Sequence, residues 1–200
     1  FAEVVFNRGN SADPESLDPH KTSTVYEAHI LRDLFLGLPT DDAKAEVIPG
    51  AAESWAKSAD GKIYTFKMRA GATWSDGSPV TAHDFVYAWR REVDPRTGAE
   101  YAQSMAPIHN ALAIATGKMP VESLGAEALD ARTLRVQLEA PTPYLLALLS
   151  ASSGRRLPSG PTLWQPIRCQ GIVSAVPLRC MHIPHRQLDE SLSAAGNLAA

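Results

Sequence analysis

The sequence predicts a fold of mixed α/β class, because strand-like and helix-like segments alternate through its first 150 residues. Three segments carry that prediction. Apolar and polar residues alternate in "KIYTFKMR" and again in "TLRVQLE", which is the period of a half-buried strand. Between them, "TAHDFVYAWRR" has a capping residue followed by apolar residues at helical spacing.

The first of these strands is predicted to close a hairpin. Tyr64, Phe66 and Met68 fall on one face of the strand, and polar residues fall between them. Asp60 and Gly61 come just before it, and an aspartate followed by glycine suits the positive backbone angles of a tight hairpin turn. We therefore expect the preceding "ESWAKSA" to form the partner strand.

The central helix is predicted together with its cap and its buried face. Thr81 can cap the helix with its hydroxyl, and Asp84, three residues later, can reach back toward the cap. Phe85, Val86 and Trp89 then form one apolar stripe. An Asp-Gly pair before the helix marks a second turn, and two arginines stand near its end, where cations are favoured.

Further elements complete the expected order. An apolar run over residues 4–7 is typical of a buried strand, and helical spacing predicts a helix over residues 25–37. Another helix is expected over residues 107–115. The strand in "TLRVQLE" is followed by a helix that begins after Pro143.

The charge pattern divides the chain near residue 151. Residues 1–150 carry 14 Lys and Arg against 20 Asp and Glu, whereas residues 151–200 carry 5 Arg, no Lys and 2 acids. The whole chain has a net charge of −3, which gives no electrostatic reason to expect nucleic acid as a partner. We expect two parts of different origin or structure.

Both cysteines lie in the second part, in a pattern that has two readings. Cys169, Cys180, His182 and His185 place four possible zinc ligands within 17 residues. The first two are too widely separated for the usual knuckle of a zinc finger, and Pro184 stiffens the gap between the histidines. In an oxidising compartment the two cysteines could instead form a disulfide.

Motifs of catalysis are missing from the sequence of the first part. Residues 1–150 contain no phosphate-binding glycine loop, no nucleophile elbow and no paired-cysteine motif. Scattered carboxylates do not by themselves nominate an acid and a base. We predict that the protein is not an enzyme and needs no cofactor.

Four stretches taken in order resemble a known family. They are "SADPESLDPHKT", "PGAAESW", "WSDGSPVTAHDFVYAWRR" and "LDARTLRVQLEAPTPYLLALL". Their order and spacing are similar to those of the oligopeptide-binding proteins, the extracytoplasmic solute-binding subunits of ATP-binding-cassette (ABC) peptide importers. The resemblance covers about residues 4–149.

The resemblance implies a periplasmic-binding-protein-like type II fold of the three-lobed class, of which only part is present. Residues 1–36 would form the N-terminal part of lobe I, and residues 37–151 most of lobe II. Residues 152–200 depart from the family pattern. We interpret this tail as the product of a shifted reading frame, which would also end the chain early; a divergent but genuine ending is the alternative.

The resemblance also implies the binding residues. The main chain of Ser23, Thr24 and Val25 would pair with an extended peptide, in the manner of an added strand. Tyr101, in "GAEYAQ", would line the peptide cleft. An ordinary core or surface tyrosine is the alternative for Tyr101.

The implied setting is peptide import. The partners would be oligopeptides and the membrane permease subunits of an ABC importer. The protein would be a monomer in the periplasm or cell envelope, exported and freed of its leader. We expect this short chain to bind peptide weakly or not at all. The alternatives are a non-binding fragment or interaction remnant, and, more distantly, a small zinc-binding protein that uses the tail.

Overall fold

The structure, a computed structural model, describes residues 12–74 and 76–150, together with the backbone of residues 181–182. Its elements in chain order are α1 Val25–Leu34, β1 Pro39–Asp41, β2 Val47–Pro49, β3 Ala52–Lys57, β4 Ile63–Met68, β5 Thr73–Trp74, α2 Ala82–Val93, α3 Ala111–Ala115, β6 Ala126–Asp130, β7 Thr133–Gln137, α4 Leu145–Ser150 and β8 Met181–His182. Two short 3₁₀ helices cover Ala102–Met105 and Val121–Ser123. The strand predicted over residues 4–7 lies outside the described residues.

The main sheet is antiparallel and has the strand order β3-β4-β7-β6. Both predicted alternating segments form its two central strands, with Tyr64 opposite Val136 and Phe66 opposite Leu134. All four of these side chains are buried. The alternation of apolar and polar residues therefore sets both the register and the buried face of the sheet.

The hairpin between β3 and β4 is confirmed, although its turn is wider than the tight turn expected at Asp60 and Gly61. Gly61 has a positive φ of 68°, and its N–H donates to the carbonyl oxygen of Ser58 at 2.9 Å. The Asp60 carboxylate accepts from the Ser58 hydroxyl and from the Lys62 N–H, at 2.5 and 3.1 Å. These side-chain bonds stabilise a wider loop in which only glycine needs the left-handed conformation.

Helix α2 packs against β6 and β7 through the predicted stripe. The rings of Phe85 and Trp89 are fully buried and meet edge to face, with their centroids 6.5 Å apart. At the start of the helix, the Thr81 N–H and hydroxyl both donate to the Asp84 carboxylate, at 2.8 and 3.1 Å. The cap and the apolar face are thus confirmed.

Two predicted helices are shorter than expected. Helix α1 ends at Leu34 because Phe35 is extended, with φ −126° and ψ 140°. The helix predicted over residues 107–115 occupies only Ala111–Ala115. The prediction is wrong for residues 107–110, because Ile108 forms a β-bridge with Leu138 and Asn110 adopts the left-handed conformation, with φ 63°.

Buried apolar residues form two separate clusters. The smaller one contains Leu17, Leu31 and Phe35, and the larger one extends from Leu38 to Leu149. Between the clusters the backbone is tightly folded: a Cβ on Gly37 would lie 2.7 Å from the carbonyl oxygen of Pro39. The predicted boundary between residues 36 and 37 falls between the two clusters, and the division into lobes stays a prediction.

Within the described ranges, no helix is both long and apolar enough to cross a bilayer. Strand β8 brings the backbone of Met181 and His182 beside Trp74 and Thr73.

Candidate functional site

The structure brings Tyr101 and Ser23 together. The phenolic hydroxyl of Tyr101 donates to the main-chain carbonyl oxygen of Ser23 at 3.3 Å. Tyr101 is 51% exposed, and Val25, two residues after Ser23, is 70% exposed. The residues that the family resemblance predicts for peptide contact therefore lie at one exposed surface, although Tyr101 is far from the others in the chain.

Some main-chain groups of this segment already have partners within the protein. The N–H groups of Ser23 and Thr24 both donate to one carboxylate oxygen of Glu27, each at 3.1 Å. The Thr24 carbonyl oxygen accepts from the Ala28 N–H at 3.1 Å, as the first bond of α1. Val25 is the first residue of α1, where an α-helix leaves its N–H groups without intrahelical acceptors. Strand-like pairing would therefore draw mainly on the Val25 N–H and on the second lone pair of the Ser23 carbonyl.

The buried carboxylate of Glu27 binds the main chain around Ser23 and Thr24. It is 2% exposed, and its second oxygen accepts from the N–H groups of Glu15 and Ser16, at 3.0 and 3.2 Å. Burial acts to raise the pKa of Glu27, but hydrogen bonds from Thr24 and from the N–H groups of Ser16 and Ser23 outweigh it and hold that pKa below its ordinary value. One ionised side chain thus fixes four main-chain N–H groups.

A second contact joins the segment to helix α2. The Arg91 guanidinium donates to both oxygens of Asp18, at 2.9 and 2.6 Å, and to Nδ1 of His20 at 2.8 Å. Arginine has donors only, so Nδ1 is the acceptor and His20 carries its proton on Nε2. Burial and the neighbouring Arg91 charge lower the pKa of His20 to about 4, although the Asp18 charge opposes them.

The Asp18 carboxyl is ionised in this arrangement. Burial acts to raise its pKa, but the hydrogen bonds and charge of Arg91, with the His20 N–H, bring the pKa below the ordinary value. The Asp18 hydrogen bonds raise the pKa of Arg91 in turn, against the effect of burial. The pair is therefore fully charged at neutral pH.

Sequence analysis missed Glu27, Arg91 and Asp18 as residues of this site. Thr24 and Glu27 have the spacing of a capping box, so Glu27 could have been found from the sequence. The Asp18–Arg91 contact spans 73 positions and has no local signal. Arg91 had been explained only by its place near a helix end.

The four possible zinc ligands in residues 169–185 cannot be tested as a site. Cys169, Cys180 and His185 lie outside the described residues, and only the backbone of His182 is described. Among the described side chains, no group of three or more His, Cys, Asp or Glu residues is arranged to hold a metal ion.

A family model described as "Bacterial extracellular solute-binding proteins, family 5 Middle" matches residues 46–165, more than half of the chain. The chain belongs to this family. The matched range includes Tyr101 but begins after Ser23–Val25, and it runs past residue 151, where we predicted the family pattern to end. The position of that boundary stays a prediction.

Named relatives of this family-5 chain are binding proteins. It is 46% identical over 153 residues to the periplasmic oligopeptide-binding protein OppA of Escherichia coli, covering 76% of this chain and 28% of that protein. It is 47% identical over 138 residues to the periplasmic murein peptide-binding protein MppA of the same organism, covering 68% of this chain and 26% of that one. The chain therefore spans less than a third of the length of these relatives.

The fold of the family-5 chain is shared with solved structures. The crystal structure of Haemophilus influenzae OppA in complex with the peptide RPPGFSPFR matches with a TM-score of 0.73 and 46% identity. The match covers 74% of this chain and 29% of that one. The predicted fold, a partial periplasmic-binding-protein-like α/β fold, is confirmed.

Proposed function

We propose that this chain is part of a peptide-capturing subunit of an ABC importer that works outside the cytoplasmic membrane. The observation that carries the proposal is the contact between Tyr101 and Ser23, which places the predicted peptide-facing residues at one exposed surface. Residues 1–36 belong to lobe I and residues 37–151 to lobe II, so the contact lies where the two lobes meet. The two separate apolar clusters support that division.

Binding at this surface uses the peptide main chain. The Val25 N–H donates to a peptide carbonyl and the Ser23 carbonyl accepts from a peptide N–H, as in an added strand. The exposed ring of Tyr101 covers the peptide from the side. Since these groups are common to every peptide, capture of this kind tolerates many sequences.

The protein performs no chemistry on the peptide. Hydrolysis of ATP belongs to separate subunits, and membrane permease subunits receive the peptide. Export with removal of a leader places the protein in the periplasm or cell envelope. Periplasmic relatives support the location, and a relative solved with a bound peptide supports the peptide as ligand.

We expect this chain alone to bind weakly. A ligand site encloses most of the ligand surface, whereas the surface of Ser23–Val25 and Tyr101 covers a peptide on one side. We expect dissociation constants of about 1 mM, which correspond to about −4 kcal/mol.

The test is a titration of the ¹⁵N-labelled chain with the nonapeptide RPPGFSPFR, followed by amide chemical shifts. The expected result is a saturable shift of the amides of Ser23, Thr24 and Val25 that weakens at least threefold in Tyr101→Ala. Tyr144→Ala is the matched control, because Tyr144 is also an exposed tyrosine, at 63%. If the peptide shifts only amides outside residues 23–25, or if both variants lose affinity equally, this surface is not the peptide-binding surface. A micromolar dissociation constant would contradict the prediction that this chain binds weakly.

A further inference from the structure

Arg91 makes contacts that reach beyond its own helix. It lies in the last turn of α2, and its fork holds both carboxylate oxygens of Asp18, whose side chain is 12% exposed. The same guanidinium donates to Nδ1 of His20, which is 5% exposed. Three of its hydrogen bonds thus go to one turn of the N-terminal segment.

That turn is a hydrogen-bonded unit leading directly to Ser23. Asp18 Oδ1 accepts from the His20 N–H at 3.1 Å, and the Asp18 carbonyl oxygen accepts from the Lys21 N–H at 3.0 Å. The Thr22 hydroxyl donates to the Pro19 carbonyl oxygen at 3.4 Å. A displacement of Asp18 would therefore be passed along residues 18–22 to the next residue in the chain.

The loop after α2 also makes hydrogen bonds to residues 20–23. The Glu100 N–H donates to the His20 carbonyl oxygen at 3.2 Å, and Tyr101 donates to the carbonyl oxygen of Ser23. Residues 100 and 101 follow α2 by only a few positions. The segment is consequently held between the end of α2 and the loop after it, and among the bonds from these two elements those of Arg91 to Asp18 are charge-assisted.

We propose that Arg91 is a positioning residue: by holding Asp18 and His20, it fixes the place of Ser23–Val25 relative to Tyr101. The role in binding rests on the proposed function of that surface. Arginine suits this task better than lysine, because a planar fork meets a carboxylate with two parallel bonds and still has a donor for His20.

Hydrogen exchange of main-chain amides tests the proposal on the chain as it is. Arg91→Met keeps the apolar length of the side chain and removes its donors, whereas Arg91→Lys keeps the charge without the fork. We expect exchange at residues 20–24 to accelerate at least tenfold in Arg91→Met and to an intermediate degree in Arg91→Lys. Amides of β4 and β7 should keep their wild-type rates.

The matched control is Arg90→Met, since Arg90 is the preceding residue of α2 and its guanidinium contacts the Glu122 carbonyl oxygen instead, at 3.4 Å. We expect wild-type exchange at residues 20–24 in this variant. Asp18→Asn removes the negative charge and one of the two acceptor oxygens that Arg91 uses, so it should accelerate exchange at the same amides. This variant keeps the test valid should Arg91→Met fold poorly. Wild-type rates in Arg91→Met, or equal acceleration at β4, β7 and residues 20–24, would overturn the positioning role.

Peptide titration separates this proposal from the proposed function. If the wild-type chain binds RPPGFSPFR, Arg91→Met should weaken binding at least fivefold and Arg90→Met should not. If the wild-type chain shows no peptide-dependent shift but Arg91→Met still accelerates exchange at residues 20–24, the positioning of the segment stands and peptide capture by this surface fails.

Discussion

Tyr101 donates its phenolic hydrogen to the carbonyl oxygen of Ser23, across 78 positions of the chain. The bond joins the loop after α2 to the segment just before α1, by a polar contact at the surface. A contact of this kind is weak, since water competes for both groups. The bond therefore matters for geometry rather than for stability, because it places the exposed aromatic ring of Tyr101 beside the exposed main chain at Ser23.

Tyr101→Phe tests how much of the fold depends on this bond. The hydrogen bond is long and the side chain is half exposed, so we expect the free energy of unfolding to fall by less than about 1 kcal/mol. Urea denaturation followed by tryptophan fluorescence measures it. A loss above about 2 kcal/mol would mean that Tyr101 serves the stability of the fold rather than an exposed binding surface.

Glu27→Gln should destabilise the N-terminal segment strongly. An amide offers one acceptor oxygen where the carboxylate offers two, so two of the four bound N–H groups would face an NH₂ group instead. We expect a loss of about 2–4 kcal/mol in the free energy of unfolding, measured by urea denaturation at pH 7.

Glu46→Gln is the control for this change, because Glu46 is an exposed glutamate and should change stability by less than about 0.5 kcal/mol. The pKa of Glu27 lies below its ordinary value in the folded state, so its contribution is present above the unfolded value of 4.5 and is lost as the pH falls through the lower, folded value. Equal stability of Glu27→Gln and Glu46→Gln would contradict the role of Glu27.

The parts of the fold that sequence predicted well are those set by neighbouring residues. The alternation around Phe66 and the cap at Thr81 are local patterns, and each forms the expected element. The helix predicted from Pro107 was partly wrong because Ile108 forms an isolated β-bridge with Leu138, which is far away in the chain, and local spacing does not reveal such a contact. The residues of the candidate site likewise include some with a signal in the sequence and some without one.

Within the site, resemblance to a family indicated Ser23 and Tyr101, and the structure brings them together. Glu27 had a local signal in its spacing from Thr24. Arg91 and Asp18 had none, because an ion pair between residues 73 positions apart depends on how two elements pack. A single sequence carries no record of that packing.

His20 should make the fold sensitive to acid. Burial and the Arg91 charge lower its pKa to about 4 from an ordinary value of 6.5, so the unfolded chain binds more protons between these values. The contribution of His20 to stability is fully present above pH 6.5 and is lost as the pH falls toward 4, by up to about 3 kcal/mol. Denaturation between pH 4.5 and 7 measures the slope.

His20→Asn should remove most of that slope, because asparagine does not titrate. His29→Gln is the control, since His29 is an exposed histidine of α1, and it should leave the slope in place. The two charged groups that contact His20 are Asp18 and Arg91, and both are kept in these variants. An unchanged slope in His20→Asn would show that His20 is not the group responsible.

Glu92 should act in the opposite direction. Its side chain on α2 is 3% exposed, and within the described part of the chain its Oε2 has no hydrogen-bond partner. Burial raises its pKa well above the ordinary value, so the folded protein keeps a proton that the unfolded chain releases above pH 4.5. Its contribution to stability is therefore present below pH 4.5 and is lost as the pH rises toward the folded pKa.

Glu92→Gln tests this effect, because glutamine keeps the shape of the side chain and stays neutral. We expect the variant to have a higher free energy of unfolding than wild type at pH 7. The difference in free energy of unfolding between variant and wild type should grow between pH 5 and pH 8. A difference that stays constant over this range would show that Glu92 is ionised in the folded protein or titrates as it does in the unfolded chain.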